Sequence, residues 1–540
     1  MCDSKEANEH VPETFRVHRG LIAAILVLIF FSGSYWLNTR SIDFPYGFHP
    51  DEAGKVTQLL SPDEYRNFNH PQLLLESTSV AMKWTETPGN EVSVVRLGRR
   101  VSAAFAALTV VAAALIGYSV GGLSGMVIVA VCVSLCPPLI MNAHYLKEDT
   151  GLIMGFMLVL LAARSLCITT GVLRSAVLAA LLGSACAIAV SAKYIGAMAV
   201  PVSVALLFLG RTSTTGWRSR MMRLCAFAVA FGILVLAINY RAIGNWGQMR
   251  GRLTAEFGHA INGRRDVTMD HPNMFFVRTV LRETFPHLVI FAAAYVVLVM
   301  MRNRVAWEAS LLSLTGMYWV GICFSGNPFH RYALPVVVLM HLTASLAVVH
   351  FLQMLQQSKH RYAGFVALTA ILLIVLQLPR CLAFNRQFAD DSRLRLRYWV
   401  AEHLSLQAGI AGDLYAGLRA PLDPHEPELI PLNARVLAED FFVADTSESP
   451  AALAKLNVSH VVVCQTAYSR IMDSSIRAIP GFESDLLRRR DWYSDLFSHY
   501  RLVWISQPSH ETDSYANPEL RVYELQSNAA RVHGNVPGKP

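Results

Sequence analysis

The sequence predicts an α-helical polytopic membrane protein of about eleven transmembrane helices, with a C-terminal α/β soluble domain. Three observations lead there. Apolar residues are 53% of the 540 against 16% charged, and they fall in membrane-length blocks instead of at the spacing of a soluble core. Lys and Arg recur in alternate loops between those blocks. After about residue 380 the chain turns polar and carries short β-rich runs.

The polar segment 1–20 reads as a cytoplasmic N-terminus. Spans follow near 21–38, 101–119, 122–142, 151–166, 174–192, 195–210, 222–240, 286–301, 306–325, 332–352 and 363–379. The first could be a secretory signal, since Ser32-Gly33-Ser34 offers small residues; its continuation through Tyr35-Trp36-Leu37 favours an uncleaved span. The shortest spans invite local bilayer thinning or re-entry. Inside loops then hold Arg164 and Arg174; Arg211, Arg218, Arg220 and Arg223; Arg302 and Arg304; and Lys359 and Arg361. The tight Gly121-Gly122 turn is the exception. This pattern sends outside the loop 39–100, the loop 241–285 and the tail 381–540. Residues 21–380 form the membrane domain. In the tail, Ser392–His403 reads as helix and the runs Val458–Val463 and Arg521–Leu525 as strands.

Much of the formal charge of +8 is inside charge that orients spans, so it gives no reason to expect nucleic-acid binding. The nine cysteines lie mostly in or beside apolar spans, as small hydrophobes do, with no CxxC or Cys/His cluster. Cys381 and Cys464 are the outside pair, and a disulfide between them is not expected.

The polar residues with chemical potential gather on the outer side. His49-Pro50-Asp51-Glu52 opens the first loop, where either carboxylate could serve as a base or simply suit a helix start after Pro50. His70-Pro71 follows, with His70 as a ligand or an interfacial histidine. Arg96, Arg99 and Arg100 sit at the outer end of the second span, where lipid headgroups would suit them. Glu148 and Asp149 leave the third span behind Lys147; they could hold a divalent cation or position an acceptor, or one of them could be neutralised by that lysine. Lys193, inside an otherwise apolar block, needs water or an anion, and a phosphate contact or snorkelling would supply it. Arg331 and Tyr332 end the ninth span with a phosphate-matching fork and a rim aromatic. The middle loop adds Arg241, Arg250, Arg252, Arg264, Arg265, Arg278 and Arg282.

In this order and on this side, the motifs resemble the GT-C class of membrane glycosyltransferases, specifically its protein O-mannosyltransferase-like (family 39) group. The resemblance covers roughly residues 40–400. It rests on His49-Pro50-Asp51-Glu52, His70-Pro71, Arg96-Leu97, Asp149, Lys193-Tyr194, Arg331-Tyr332, Asp391-Ser392-Arg393 and Trp399. It implies sugar transfer from a polyprenyl phosphate to an acceptor hydroxyl, with inversion, on the non-cytoplasmic face. In that scheme Asp51 is the general base and Glu52 orients or assists it. Asp149, with Glu148 and His70, supports the acceptor or a metal, and Lys193, Arg331 and Tyr332 meet the donor phosphate. Lys147-Glu148 departs from the usual form around Asp149, which leaves a divalent cation open. Implied partners are the lipid-linked sugar, membrane lipids and a glycan, glycolipid or protein acceptor; the expected location is a bacterial plasma membrane. Two rivals stand: a transporter of a sugar or phosphorylated solute, and a non-catalytic receptor that binds through its tail. No internal repeat favours the transporter.

Overall fold

The computed structural model describes residues 13–44, 49–64, 66–209, 216–263, 266–301, 306–327, 329–357, 372, 374–419, 432–506 and 516–525. The inside cations Arg211, Arg302, Arg304, Lys359 and Arg361, the middle-loop Arg264 and Arg265, and most of the span expected at 363–379 lie outside them.

The chain is a multi-pass membrane protein. Six of its described helices are long and apolar enough to cross a bilayer, and a bent pair brings the number to seven. In chain order α1 is Glu13–Thr39, and α2 (Pro50–Leu60) and α3 (Leu73–Trp84) fold the first outer loop. Next come α4 (Glu91–Ser134), α5 (Pro137–Ala143), α6 (Asp149–Ile168), α7 (Val172–Ala192), α8 (Ala199–Leu209) and α9 (Trp217–Ile238). The middle loop holds α10 (Tyr240–Gly244), α11 (Trp246–Asn262), β1 (Val267–Met269) and α12 (Pro272–Glu283). After it stand α13 (Pro286–Met301), α14 (Ala306–Cys323) and α15 (Leu334–Gln357).

The expected spans 101–119 and 122–142 share α4, which folds back at Gly121 and Gly122; Gly122 has φ 61°. In a straight helix Gly117 and Gly125 would stand about 12 Å apart. Here each glycine's Cα hydrogen points at the other's carbonyl, with no room for a methyl group, so the two arms form a hairpin. The span expected at 195–210 is a 3-10 turn followed by the short α8, and α12 meets α13 at 107°. Small residues let the helices close up: a Cβ on Gly155 of α6 would lie 2.6 Å from the Ala189 backbone of α7.

One face collects the Gly121-Gly122 turn, the end of α6 through Arg164 and Ser119, and the end of α15 through Gln353 and the Val120 carbonyl. Asp149, Lys193 and Arg331 stand at the opposite ends of their helices.

Beyond the membrane region, the helices Leu378–Ala389 and Ser392–His403 lead into a five-stranded mixed sheet of order β3-β2-β4-β7-β6. Its strands are β2 (Gly409–Asp413), β3 (Val436–Asp440), β4 (Val458–Cys464), β6 (Arg501–Ser506) and β7 (Leu520–Glu524). β2 runs parallel to β3 and β4, while β7 is antiparallel to β4 and β6. Helices Gln465–Met472 and Glu483–His499 pack on this sheet around a core of its own, separate from that of the membrane helices. The remaining strand, β5 (Ile476–Ala478), leaves the sheet and pairs antiparallel with β1 of the middle loop.

Candidate active site

The tripeptide Lys147-Glu148-Asp149 organises the site. It lies in the turn between α5 and α6, and its three side chains fan out to three different elements. Lys147 ion-pairs with Asp51 of α2. Glu148 accepts from Lys55 of α2 at 2.8 Å. Asp149 accepts from Lys193, just after α7, at 2.6 Å.

Asp51 is placed by the start of α2. Pro50 supplies the preset φ of a first helical turn, and His49 caps it, its Nδ1 accepting the Asp51 N–H at 3.2 Å. Burial, then Lys147, keep His49 well below the ordinary histidine pKa, so it stays neutral and can accept. Burial alone would raise Asp51, but Lys147 and then Arg331 outweigh it and hold the carboxyl well below the usual range. Arg331 Nη2 lies 3.8 Å from Asp51 Oδ2, and a third of the Asp51 side chain remains exposed. Asp51 is therefore ionised and open to a ligand.

Glu52, next in sequence, faces the other way. It is fully buried and takes Arg99 in a bidentate pair, at 2.9 and 2.6 Å, plus the Leu146 N–H at 3.1 Å. Arg99 also donates to the Ile42 and Phe44 carbonyls. This pair ties α2, α4 and the 144–148 turn together. Arg99 is thus fully buried, whereas Arg96 pairs with Asp43 at 3.1 Å.

Lys193 sits 5.2 Å from the Tyr332 ring. Asp149 is buried, and its Oδ2 has no hydrogen-bond partner among the described residues. His70 lies near Glu148; burial first, despite that carboxylate, lowers its pKa to about 4. Asp51, His70, Glu148, Asp149, Lys193, Arg331 and Tyr332 are thus brought together, as expected from their shared side. Apart from the buried Glu52–Arg99 pair, the cluster sets Lys55, Lys147, Lys193 and Arg331 against Asp51, Glu148 and Asp149, a surplus of one cation. Among the described residues no three His, Cys, Asp or Glu side chains form a metal-holding group. Glu148 and Asp149, which could hold a divalent cation or position an acceptor, each pair with a lysine here.

Two parts of the site had no signal in the sequence. Lys55 is one, although it stands one helical turn after Asp51. The other is the tail. A cavity of about 290 Å³ is lined by His49, Tyr145, Phe329 and Arg331 on the membrane side and by Ser469 and Arg470 on the tail side. Of the described middle-loop arginines, Arg241 and Arg252 line a separate pocket of about 210 Å³ with Arg66, and Arg241 pairs with Asp63. Arg282 pairs with Glu283 at 3.2 Å. Asp391 caps the helix Ser392–His403 and binds Arg393, while Trp399 stacks between residues of the tail. Cys381 and Cys464 are both free and buried.

No family model matches the chain, and no curated protein matches it significantly. Solved structures do. ArnT from Cupriavidus metallidurans bound to undecaprenyl phosphate is 13% identical with a TM-score of 0.51, over 93% of this chain and 97% of that one. The same protein in its apo state gives 15% and 0.51, over 95% and 100%. The archaeal oligosaccharyltransferase AglB from Archaeoglobus fulgidus, in complex with an inhibitory peptide and a dolichol-phosphate, is 12% identical with a TM-score of 0.50, over 91% and 74%. Membrane helices, outer loops and tail domain together give this chain the GT-C fold.

Proposed function

We propose that this protein is an inverting glycosyltransferase that moves a hexosyl or pentosyl group from a polyprenyl phosphate to an acceptor hydroxyl. The observation that carries the reading is Asp51: an ionised, part-exposed carboxylate with phosphate-competent cations next to it, one of which, Arg331, lines the cavity. The similar fold of ArnT bound to undecaprenyl phosphate and of AglB in complex with a dolichol-phosphate supports a lipid-linked donor.

In this mechanism the acceptor hydroxyl enters beside Asp51 and displaces Lys147 from it. Its oxygen attacks the anomeric carbon as the bond from that carbon to the phosphate oxygen breaks. Asp51 takes the hydroxyl proton, and the polyprenyl phosphate leaves with the electron pair. Lys193 and Arg331 stabilise the charge that grows on the leaving phosphate, with Tyr332 at the rim. Asp149 holds Lys193 in place. Glu52 acts through Arg99 as a positioning residue. The site faces the non-cytoplasmic side of a bacterial plasma membrane, and the acceptor is a glycan, glycolipid or protein.

The test is release of polyprenyl phosphate from a panel of lipid-linked sugars by the purified protein, with Asp51→Asn in parallel. Loss of a general base predicts a rate about 10²–10⁴-fold lower with folding and donor binding retained. Release that survives Asp51→Asn would remove Asp51 from this role, and absence of release with every donor and acceptor extract would overturn the transferase reading.

A further inference from the structure

The tail domain holds a second recess that shares no lining residue with the cavity reached by Arg331. Trp399 and His403 come to it from the helix Ser392–His403, and Gln407 from the turn that follows. His460 of β4, Arg501 of β6 and Glu524 of β7 line the other side. Its volume is about 510 Å³, within the roughly 300–1,000 Å³ of small-molecule sites. β4 runs between the two spaces: Ser459 near its start lines the recess, and Gln465, just past its end, lines the cavity. At about 3.3 Å of rise per strand residue, the two positions stand roughly 20 Å apart.

The hydrogen bonds around His460 fix which of its nitrogens is open. The Ser459 hydroxyl lies 3.0 Å from the Gly409 carbonyl and 2.9 Å from His460 Nδ1. A carbonyl only accepts, so the single hydroxyl proton goes to Gly409, and the Nδ1–H of His460 donates to the Ser459 oxygen. Burial is the largest influence on His460 and lowers its pKa, so the ring is neutral and Nε2 keeps its lone pair. Nε2 has no partner among the described residues, and neither do the Gln407 amide and the Trp399 indole N–H. Acceptor and donor groups are thus left open in one recess, beside the stacked rings of Trp399 and His403, 5.3 Å apart.

Charge and polarity narrow the ligand. Arg501 turns Nε and Nη2 to Glu524, so an anion would meet a guanidinium that already faces a carboxylate. An apolar ligand would leave the imidazole lone pair and the amide unmatched, which costs binding energy. A sugar hydroxyl both donates and accepts, and the C–H face of a sugar ring suits an aromatic neighbour.

We propose that this recess is a binding site for a neutral saccharide, and that it captures the acceptor glycan at a point remote from its reacting end. The inference deepens the transferase reading and rests on it for the word acceptor, but saccharide binding can be tested without turnover.

The experiment uses the full-length protein in nanodiscs and four probes: maltotetraose, cellotetraose, mannotetraose and, as the charged counterpart, tetragalacturonate. Binding is measured for wild type, His460→Phe, Gln407→Ala and Asp51→Asn. Wild type is expected to bind at least one neutral tetrasaccharide more tightly than tetragalacturonate. His460→Phe is expected to weaken that binding about tenfold, the scale of one lost hydrogen bond, and Gln407→Ala severalfold. Asp51→Asn should bind as wild type does, because the recess lies elsewhere. The proposal is overturned if wild type binds no neutral probe or prefers the charged one. It is equally overturned by affinity that is unchanged in folded His460→Phe, or by affinity lost in Asp51→Asn. Should His460→Phe fail to fold, Gln407→Ala decides, and unchanged affinity there counts against the site. Polyprenyl phosphate release is followed in the same preparations. Saccharide binding without release from any donor would count against the transferase reading and leave the recess standing; release without saccharide binding would do the reverse.

Discussion

Lys147 sets the charge state of Asp51 from 96 residues away. Adjacency suggested that it would neutralise Glu148 or Asp149, but consecutive side chains in a turn or helix start point in different directions. The same geometry separates Asp51 from Glu52: about 100° of helical rotation leaves one carboxylate part-exposed and turns the other to the core. Which residues are chemically potent was legible, because their types and their common side can be read from the chain. Which residue pairs with which was not, since that depends on contacts between distant elements. The pairing has a kinetic consequence. Lys147→Met removes the charge that holds the Asp51 pKa down, so the pKa rises, and the acid limb of the transfer rate should move to higher pH. A pH–rate profile of wild type against variant checks this; a fixed acid limb would show that Asp51 is not the titrating base. At Glu52 the expected effect is on stability. Glu52→Ala strands a fully buried guanidinium, a loss of about 3–5 kcal/mol, visible as a lowered unfolding midpoint in detergent.

The helices followed their sequence signals closely where punctuation was strong. Pro50 after His49 starts α2, and the expected helix Ser392–His403 is found with those bounds. The Gly121-Gly122 turn separates two passes that secondary structure alone would merge into one helix of 44 residues. What the chain did not reveal is how short a pass could be: 195–210 is mostly α8, and 286–301 starts at a sharp bend after α12. Apolar length bounds a span but leaves bending to the neighbours it packs on. The α4 hairpin carries its own prediction. Gly117→Val would push a branched side chain into the Gly125 backbone and the Val129 side chain. Overpacking of this kind costs about 1–3 kcal/mol, so thermal unfolding in detergent should begin earlier, with the Asp51 cluster chemically untouched. An unchanged midpoint would mean that the hairpin arms can part without loss.

Across the whole molecule, the sequence signalled a membrane region and a tail of α/β composition, and both are present with separate cores. Sidedness came from lysines and arginines in short loops, and the structure groups the polar cluster at helix ends opposite the Gly121-Gly122 turn. Topology can be measured directly. A cysteine at the exposed Leu406 should react with a membrane-impermeant maleimide on intact cells, whereas one at Arg174 should react only after permeabilisation; the reverse pattern would invert the proposed orientation. The contribution of the tail to the cavity was not legible, because Arg470 sits in an unremarkable soluble-domain helix and is brought to the cavity only by contacts between distant elements.

The ribbon of β1 and β5 bears on how the molecule is made. Met269 pairs with Ile476, and both line the cavity. The first of these residues leaves the ribosome 207 positions before the second. At about 5–20 residues per second, the membrane helices wait roughly 10–40 s with one wall of their cavity missing. The ribbon cannot close until the tail has been made and has folded back, so completion of this wall follows synthesis of the tail. A chain truncated or clipped before residue 476 would keep its membrane helices and its Asp51 cluster but never finish that wall, which makes assembly of the cavity a built-in check on synthesis.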